Sequence, residues 1–158
     1  MSIGIALAIL GAASAVVFAG FGSILGVGRT GLAGAGLTAE EPEKFGKVLV
    51  LQALPGTQGI YGFLGAVLAL QKIGLLGGEI AAIDMQIGLQ ILIACLPIAI
   101  TGFLSGIFQG KVATAGINMI AKRPETSGKG IIMAAMVETY AVIGLLATIL
   151  MINGISVA

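Results

Sequence analysis

Four long apolar stretches run along this chain, separated by three short clusters rich in charge, glycine and proline. The pattern predicts helices over Ile3–Leu37, Glu43–Lys72, Asp84–Ala121 and Lys129–Asn153. Each exceeds the roughly 20 residues a helix needs to cross the hydrocarbon core of a bilayer. The first and third, at about 1.5 Å per residue, reach some 50 Å and should project beyond it. Breaks are expected at Thr38–Pro42, Gly74–Ile83 and Lys122–Glu125, with Pro42 and Pro124 suited to the first turn of the helix that follows.

The two halves repeat without gaps at an offset of 82. Gly20, Phe21 and Ser23 match Gly102, Phe103 and Ser105; Gly28-Arg29 matches Gly110-Lys111; Pro42-Glu43 matches Pro124-Glu125. Gly46-Lys47 matches Gly128-Lys129, Thr57 matches Thr139 and Gly62 matches Gly144. The expected organisation is therefore a duplicated helical hairpin, residues 1–75 and 84–158, each with two transmembrane helices. A unit of two helices repeats in parallel, not inverted, topology.

Composition sharpens this reading. Of 158 residues 58% are hydrophobic and 9% charged, against the roughly 25% charged residues a soluble domain uses to clothe itself in water. An all-α integral membrane protein follows. Net charge is +1 with no basic face, so no nucleic-acid partner is expected. The chain has no His and one Cys, Cys95, inside an apolar stretch. Those counts exclude an intrachain disulfide and a transition-metal cluster, and Cys95 reads as a small buried hydrophobe. The N-terminus has no basic region, so a cleaved signal peptide is not expected.

Arg29, Lys44, Lys47, Lys111, Lys122, Arg123 and Lys129 all flank the first and third connections, and only Lys72 lies on the other side. By the positive-inside rule those two loops face the cytoplasm and both termini lie outside. Gly22, Gly26, Gly31 and Gly34 in the first helix and Gly102, Gly106 and Gly110 in the third allow close helix approach. They suit either a crowded ring with these helices on its inner wall or ordinary packing within the chain. Gly26 to Gly31 also spells GxGxxG, but inside a continuous apolar helix it lacks the strand-to-helix context of a dinucleotide loop.

The chemistry gathers around Glu138, the only acidic residue expected to be buried in any of the four stretches, since Glu43 and Asp84 stand at the first positions of theirs. A charge at bilayer depth costs about 2.5–3.5 kcal/mol even on the lenient insertion scale, which makes such a residue an ion or proton site by default. Leu54, Thr57, Gln58 and Tyr61 fall at i, i+3, i+4 and i+7, one stripe of the second helix. Pro55 removes a backbone donor there and leaves the carbonyl near Leu51 without its partner. Gln109 adds an amide from the third helix. In the repeat, Glu138 aligns with Gly56 and Gln109 with Val27, so one copy keeps the carboxylate and the other does not.

The oxygens of Glu138, Gln109, Gln58 and Thr57 suit a small hard cation, and so many polar ligands are superfluous for a proton. A plainer reading makes Gln109, Gln58 and Thr57 interhelical hydrogen-bonding glue and Tyr61 a packing aromatic. No Lys or Arg lies at matching depth to pair with Glu138. Lys111, two residues past Gln109, must snorkel out unless the site lies toward the cytoplasm.

Three segments together carry a resemblance: Leu54-Pro55-Gly56-Thr57-Gln58-Gly59-x-Tyr61-Gly62, Phe108-Gln109-Gly110-Lys111-Val112-Ala113 and Met136-Val137-Glu138-Thr139-Tyr140. The chain resembles, over essentially its whole length, the proteolipid rotor (c or K) subunits of V-type ATPases, most closely those of the bacterial Na⁺-translocating type. The resemblance implies a homo-oligomeric rotor ring in the cell membrane, with Na⁺ (less readily H⁺) held by the Glu138 carboxylate, the side chains of Gln109, Gln58 and Thr57, and the Leu54 carbonyl. Tyr61 would hydrogen-bond Glu138 and lock it. It also implies a membrane stator subunit supplying an Arg, a central-stalk subunit docked on the cytoplasmic loops, and ATP hydrolysis on another subunit. The rivals are a small four-helix drug/proton antiporter using Glu138, which would want an aromatic cage that a chain without Trp does not offer, and a channel-forming proteolipid.

Overall fold

In the computed structural model, which describes residues 2–77, 79 and 82–157, the described residues form helices joined by tight turns. They are α1 (Ile3–Glu40), α2 (Phe45–Ala53), α3 (Thr57–Lys72), α4 (Met85–Lys122) and α5 (Ser127–Gly154). Short 3-10 turns cover Pro42–Lys44, Leu54–Gly56 and Pro124–Thr126. Four spans are long and apolar enough to cross a membrane: Ile3–Glu40, Pro42–Lys72, Met85–Lys122 and Pro124–Gly154. The chain is a multi-pass, all-α membrane protein.

The repeat is visible in the way the elements begin and end. Ser2 caps α1 by accepting from the Ile5 N–H at 3.2 Å, and its counterpart Asp84 caps α4 from the Ile87 N–H at 2.8 Å. At the far ends, the Glu41 N–H closes α1 on the Leu37 carbonyl (2.8 Å) and the Arg123 N–H closes α4 on that of Met119 (2.7 Å). Both closing residues precede proline and are turned out of the helical region, as the proline ring requires.

α1 continues to Glu40, past the Leu37 end expected from sequence. Thr38 and Glu40 are polar because they lie beyond the apolar span, and helical hydrogen bonding does not depend on lipid; Pro42 is what stops it. α5 likewise opens at Ser127, two residues before Lys129, because Pro124 starts the turn that leads into it. The second span differs more, since Leu54–Gly56 forms a 3-10 turn between α2 and α3. It ends in a left-handed cap at Gly74 (φ 79°), where the Gly74 and Leu75 N–H groups bond the Gln71 and Leu70 carbonyls. The connection expected over Gly74–Ile83 lies partly outside the described residues, at 78, 80 and 81.

α1 and α4 run parallel, side by side. A Cβ on Gly106 would land on the backbone of Gly22, and one on Gly110 on the backbone of Gly26, so only glycine permits this approach. Gly22 and Gly26 are thus spent on α4 within one chain, while Gly31 and Gly34 make room for Gln52 and Val48 of α2. The Pro42–Lys72 span and α5 pack as an outer pair against this axis.

Two apolar clusters fill the molecule. One, near the chain ends, includes Ala8, Ala69, Ile91, Cys95 and Ile152; the other, near the two short loops, includes Leu37, Leu51, Ile117 and Ala134. Between them lies a layer of buried polar side chains: Ser23, Gln58, Ser105 and Gln109. At the loop end, buried Lys44 donates to the Ala121 carbonyl at the end of α4 (3.2 Å) and pairs with Glu41 (2.6 Å), while Lys47 donates to the Pro124 carbonyl (3.1 Å). The two loops are thereby tied together.

Candidate ion-binding site

The polar layer is built by the break in the second span. Pro55 offers the α-helical ladder no N–H, and here, unlike at Pro97 within α4, the chain tightens into a 3-10 turn before α3 resumes at Thr57. The Leu54 carbonyl there accepts from the Thr57 N–H and from the Thr57 hydroxyl at 3.0 Å. As α3 restarts, the Gly59 N–H bonds the Ser23 hydroxyl oxygen at 2.8 Å, and Gln58 projects into the interior, fully buried.

A continuous chain of hydrogen bonds leads from Gln58 to the carboxylate. Gln58 Nε2 donates to Gln109 Oε1 and, at 3.1 Å, to the Ser105 hydroxyl. Gln109 Nε2 donates to Glu138 Oε2 at 3.2 Å, and the Tyr61 hydroxyl donates to Glu138 Oε1 at 2.6 Å. Ser105 in turn donates to the carbonyl of Val137, the residue before Glu138, at 3.0 Å. Three helices, α3, α4 and α5, thus meet at one carboxylate. No cation pairs with it among the described residues. Lys111 is exposed, and its Nζ lies 4.4 Å from the Phe108 ring centroid, a cation–π contact in place of a partner carboxylate.

Four of the six residues expected from sequence, Glu138, Gln109, Gln58 and Tyr61, are joined by direct hydrogen bonds. Thr57 and Leu54 form their own pair at the turn; among the described residues no hydrogen bond links them to the other four. Glu138 corrects one expectation, that of burial: within the single chain it is half-buried. α3 and α4 cover it on one side, and its other side faces outward between exposed Met136 and Tyr140. Ser105 was not among the expected site residues. Its signal lay in the Gly-Phe-x-Ser repeat, where a serine among packing glycines passes for another small residue.

Within this polar layer one atom stands apart among the described residues; the other buried side-chain atom without a partner, Thr38 Oγ1, lies near the end of α1. Gln58 Oε1 is buried and has no hydrogen-bond partner, although the same amide's nitrogen has two. A buried carbonyl oxygen without a partner costs about 1–3 kcal/mol, and a cation is one group that would satisfy it. Every oxygen that Gln58, Thr57, Leu54 and Glu138 offer is a hard donor, of the kind a hard cation takes and a soft one does not.

Fold and site together define a class: a duplicated-hairpin membrane proteolipid with one carboxylate set among amides between its helices. The family of the ATP synthase C subunit matches residues 10–69 and 92–151, the same offset of 82, and the chain belongs to that family. It is 52% identical to the V-type sodium ATPase subunit K of Enterococcus hirae, over 94% of this chain and 92% of that one. Identity to the A-type ATP synthase subunit K of Methanocaldococcus jannaschii is 40%, over 92% of this chain but only 61% of the longer relative. The 16 kDa proteolipid of the V-type proton ATPase of Homo sapiens is 26% identical over 91% of this chain and 89% of its own length.

Proposed function

We propose that this chain is the rotor-ring subunit of a Na⁺-translocating V-type ATPase, and that Na⁺ is its cargo. The single observation that carries the choice of ion is Gln58 Oε1, a fully buried acceptor left without a donor. A proton site needs only the carboxyl and one partner, which Tyr61 already provides. The 52% identity to a sodium ATPase subunit supports the same ion. Nothing supports the antiporter alternative, because the family is another one.

In this reading the Glu138 carboxylate, the Gln109 and Gln58 side chains, the Thr57 hydroxyl and the Leu54 carbonyl hold the ion, and Tyr61 fixes the carboxylate. Each hairpin, 1–75 and 84–158, is one structural half, and the four spans carry one site. Copies of the chain form a ring whose neighbours or lipid cover the outward side of Glu138. A loaded site is neutral and passes through lipid; an empty ionised one is costly there. A stator subunit's Arg favours the ionised form and releases the ion.

Moving each elementary charge against 100 mV takes about 2.3 kcal/mol, which a separate ATP-hydrolysing subunit must provide through a stalk. The stalk docks on the cytoplasmic loops around 40–47 and 122–129, which Lys44 and Lys47 hold together. Both termini then lie outside a bacterial plasma membrane.

Carbodiimide labelling of purified rings tests the proposal, since the reagent attacks a protonated carboxyl in an apolar setting. Labelling at Glu138 that Na⁺ suppresses supports it. Labelling indifferent to Na⁺ makes this a proton rotor.

A further inference from the structure

Ser105 accounts for why the unpartnered end of Gln58 is the oxygen. An amide has two ends of nearly equal shape, and its orientation is decided by what surrounds it. The Ser105 hydroxyl has one hydrogen, and it is spent on the Val137 carbonyl at 3.0 Å. Toward Gln58, 3.1 Å away, Ser105 can therefore only accept, so it must face the amide NH₂. Gln109 Oε1 makes the same demand from the other side. Both neighbours require nitrogen, and Oε1 is left over as a buried acceptor.

We propose that Ser105 is a positioning residue for ion specificity: by giving its only hydrogen to the backbone beside Glu138 it holds the Gln58 oxygen free for the cation. This rests on the ion-site reading above and adds a residue to it that does not itself touch the ion. Its repeat counterpart has a different task, since Ser23 accepts from a backbone N–H, that of Gly59, and among the described residues hydrogen-bonds no amide side chain. The same serine in the two halves therefore holds a helix in one and orients a side chain in the other. Loss of Ser105 leaves Gln109 Oε1 as the one remaining group that orients the Gln58 amide, so the amide is held less firmly, and outer partners of this kind typically govern metal affinity by about 10–100-fold.

The test uses purified rings of the full chain and two midpoints of carbodiimide labelling at Glu138. One is the Na⁺ concentration that halves labelling at fixed pH; the other is the pH that halves it without Na⁺. Ser105→Ala should raise the Na⁺ midpoint about tenfold and leave the pH midpoint unmoved, because the carboxyl keeps Tyr61 and Gln109. Ser105→Cys, which keeps the volume but hydrogen-bonds weakly, should move the same way. Ser105→Thr, which keeps the hydroxyl and borders an open groove lined by Leu104 and Tyr140, should restore wild-type behaviour. In a Gln58→Leu background Ser105→Ala should change nothing further.

A Na⁺ midpoint unchanged in Ser105→Ala overturns the proposal, as does a joint shift of both midpoints in the alanine and threonine variants. Wild-type labelling that ignores Na⁺ overturns the ion-site reading itself, and this proposal with it.

Discussion

The two hairpins are copies, yet only one holds a carboxylate, and the positions where they diverge show what a membrane carboxylate needs. In the second hairpin Gln109 on α4 donates to Glu138 on α5. At the equivalent place in the first, a Cβ on Gly56 would sit 3.6 Å from the Val27 methyl, in ordinary contact. Charge and amide are both present in one copy and both absent in the other. The framework around them is retained. The Thr57 hydroxyl bonds the Leu54 carbonyl at 3.0 Å, and its counterpart Thr139 bonds Met136 at 2.8 Å. A second lesson is that the apparently empty copy is not idle: the broken span of the first hairpin supplies Gln58 and Tyr61 to the carboxylate of the second. One site takes residues from both halves.

That comparison can be broken most severely at its centre. Glu138→Gln should leave rings assembled and abolish ATP-driven Na⁺ uptake into vesicles; uptake at the wild-type rate would remove the carboxylate from the account. Gln109→Val, which gives the second hairpin the residue of the first, should raise the Na⁺ concentration for half-maximal uptake by about 10–100-fold. An unchanged concentration would return Gln109 to helix packing.

Gly56→Glu tests the reverse exchange. Space exists for its Cβ, but no amide faces it, so the charge is uncompensated. Each copy should destabilise the ring by about 2.5–3.5 kcal/mol, seen as a lower dissociation temperature, without adding a second ion. The smallest effect belongs to Ser23→Ala, which leaves the Gly59 N–H without its acceptor. It should cost about 1 kcal/mol of stability and leave Na⁺ affinity alone, in contrast to Ser105→Ala.

Much of this architecture was legible because lipid imposes simple rules. Apolar length gave the spans and the offset of 82 gave the parallel halves; Pro55 marked a missing donor in the second span but not the 3-10 turn that interrupts its helix. The end of α1 was misjudged because a drop in hydropathy marks the edge of the membrane, not of the helix. The glycine stripes were legible as close packing but not as to partner; sequence periodicity says which face is small, not which helix meets it. In the site, Glu138, Gln109, Gln58 and Tyr61 announced themselves as polar residues at bilayer depth. Ser105 did not, because its role depends on the Val137 carbonyl, and no side-chain pattern reports where a backbone oxygen points. Nor does spacing show that Thr57 bonds Leu54 and leaves Glu138 to others.

Equilibrium binding of radioactive ²²Na⁺ to purified rings, counted per chain, tests most directly that four helices share one ion site built around Glu138. The account predicts one ion per chain in wild type and none in Glu138→Gln. Two ions per chain, or binding that survives loss of the carboxylate, would contradict it.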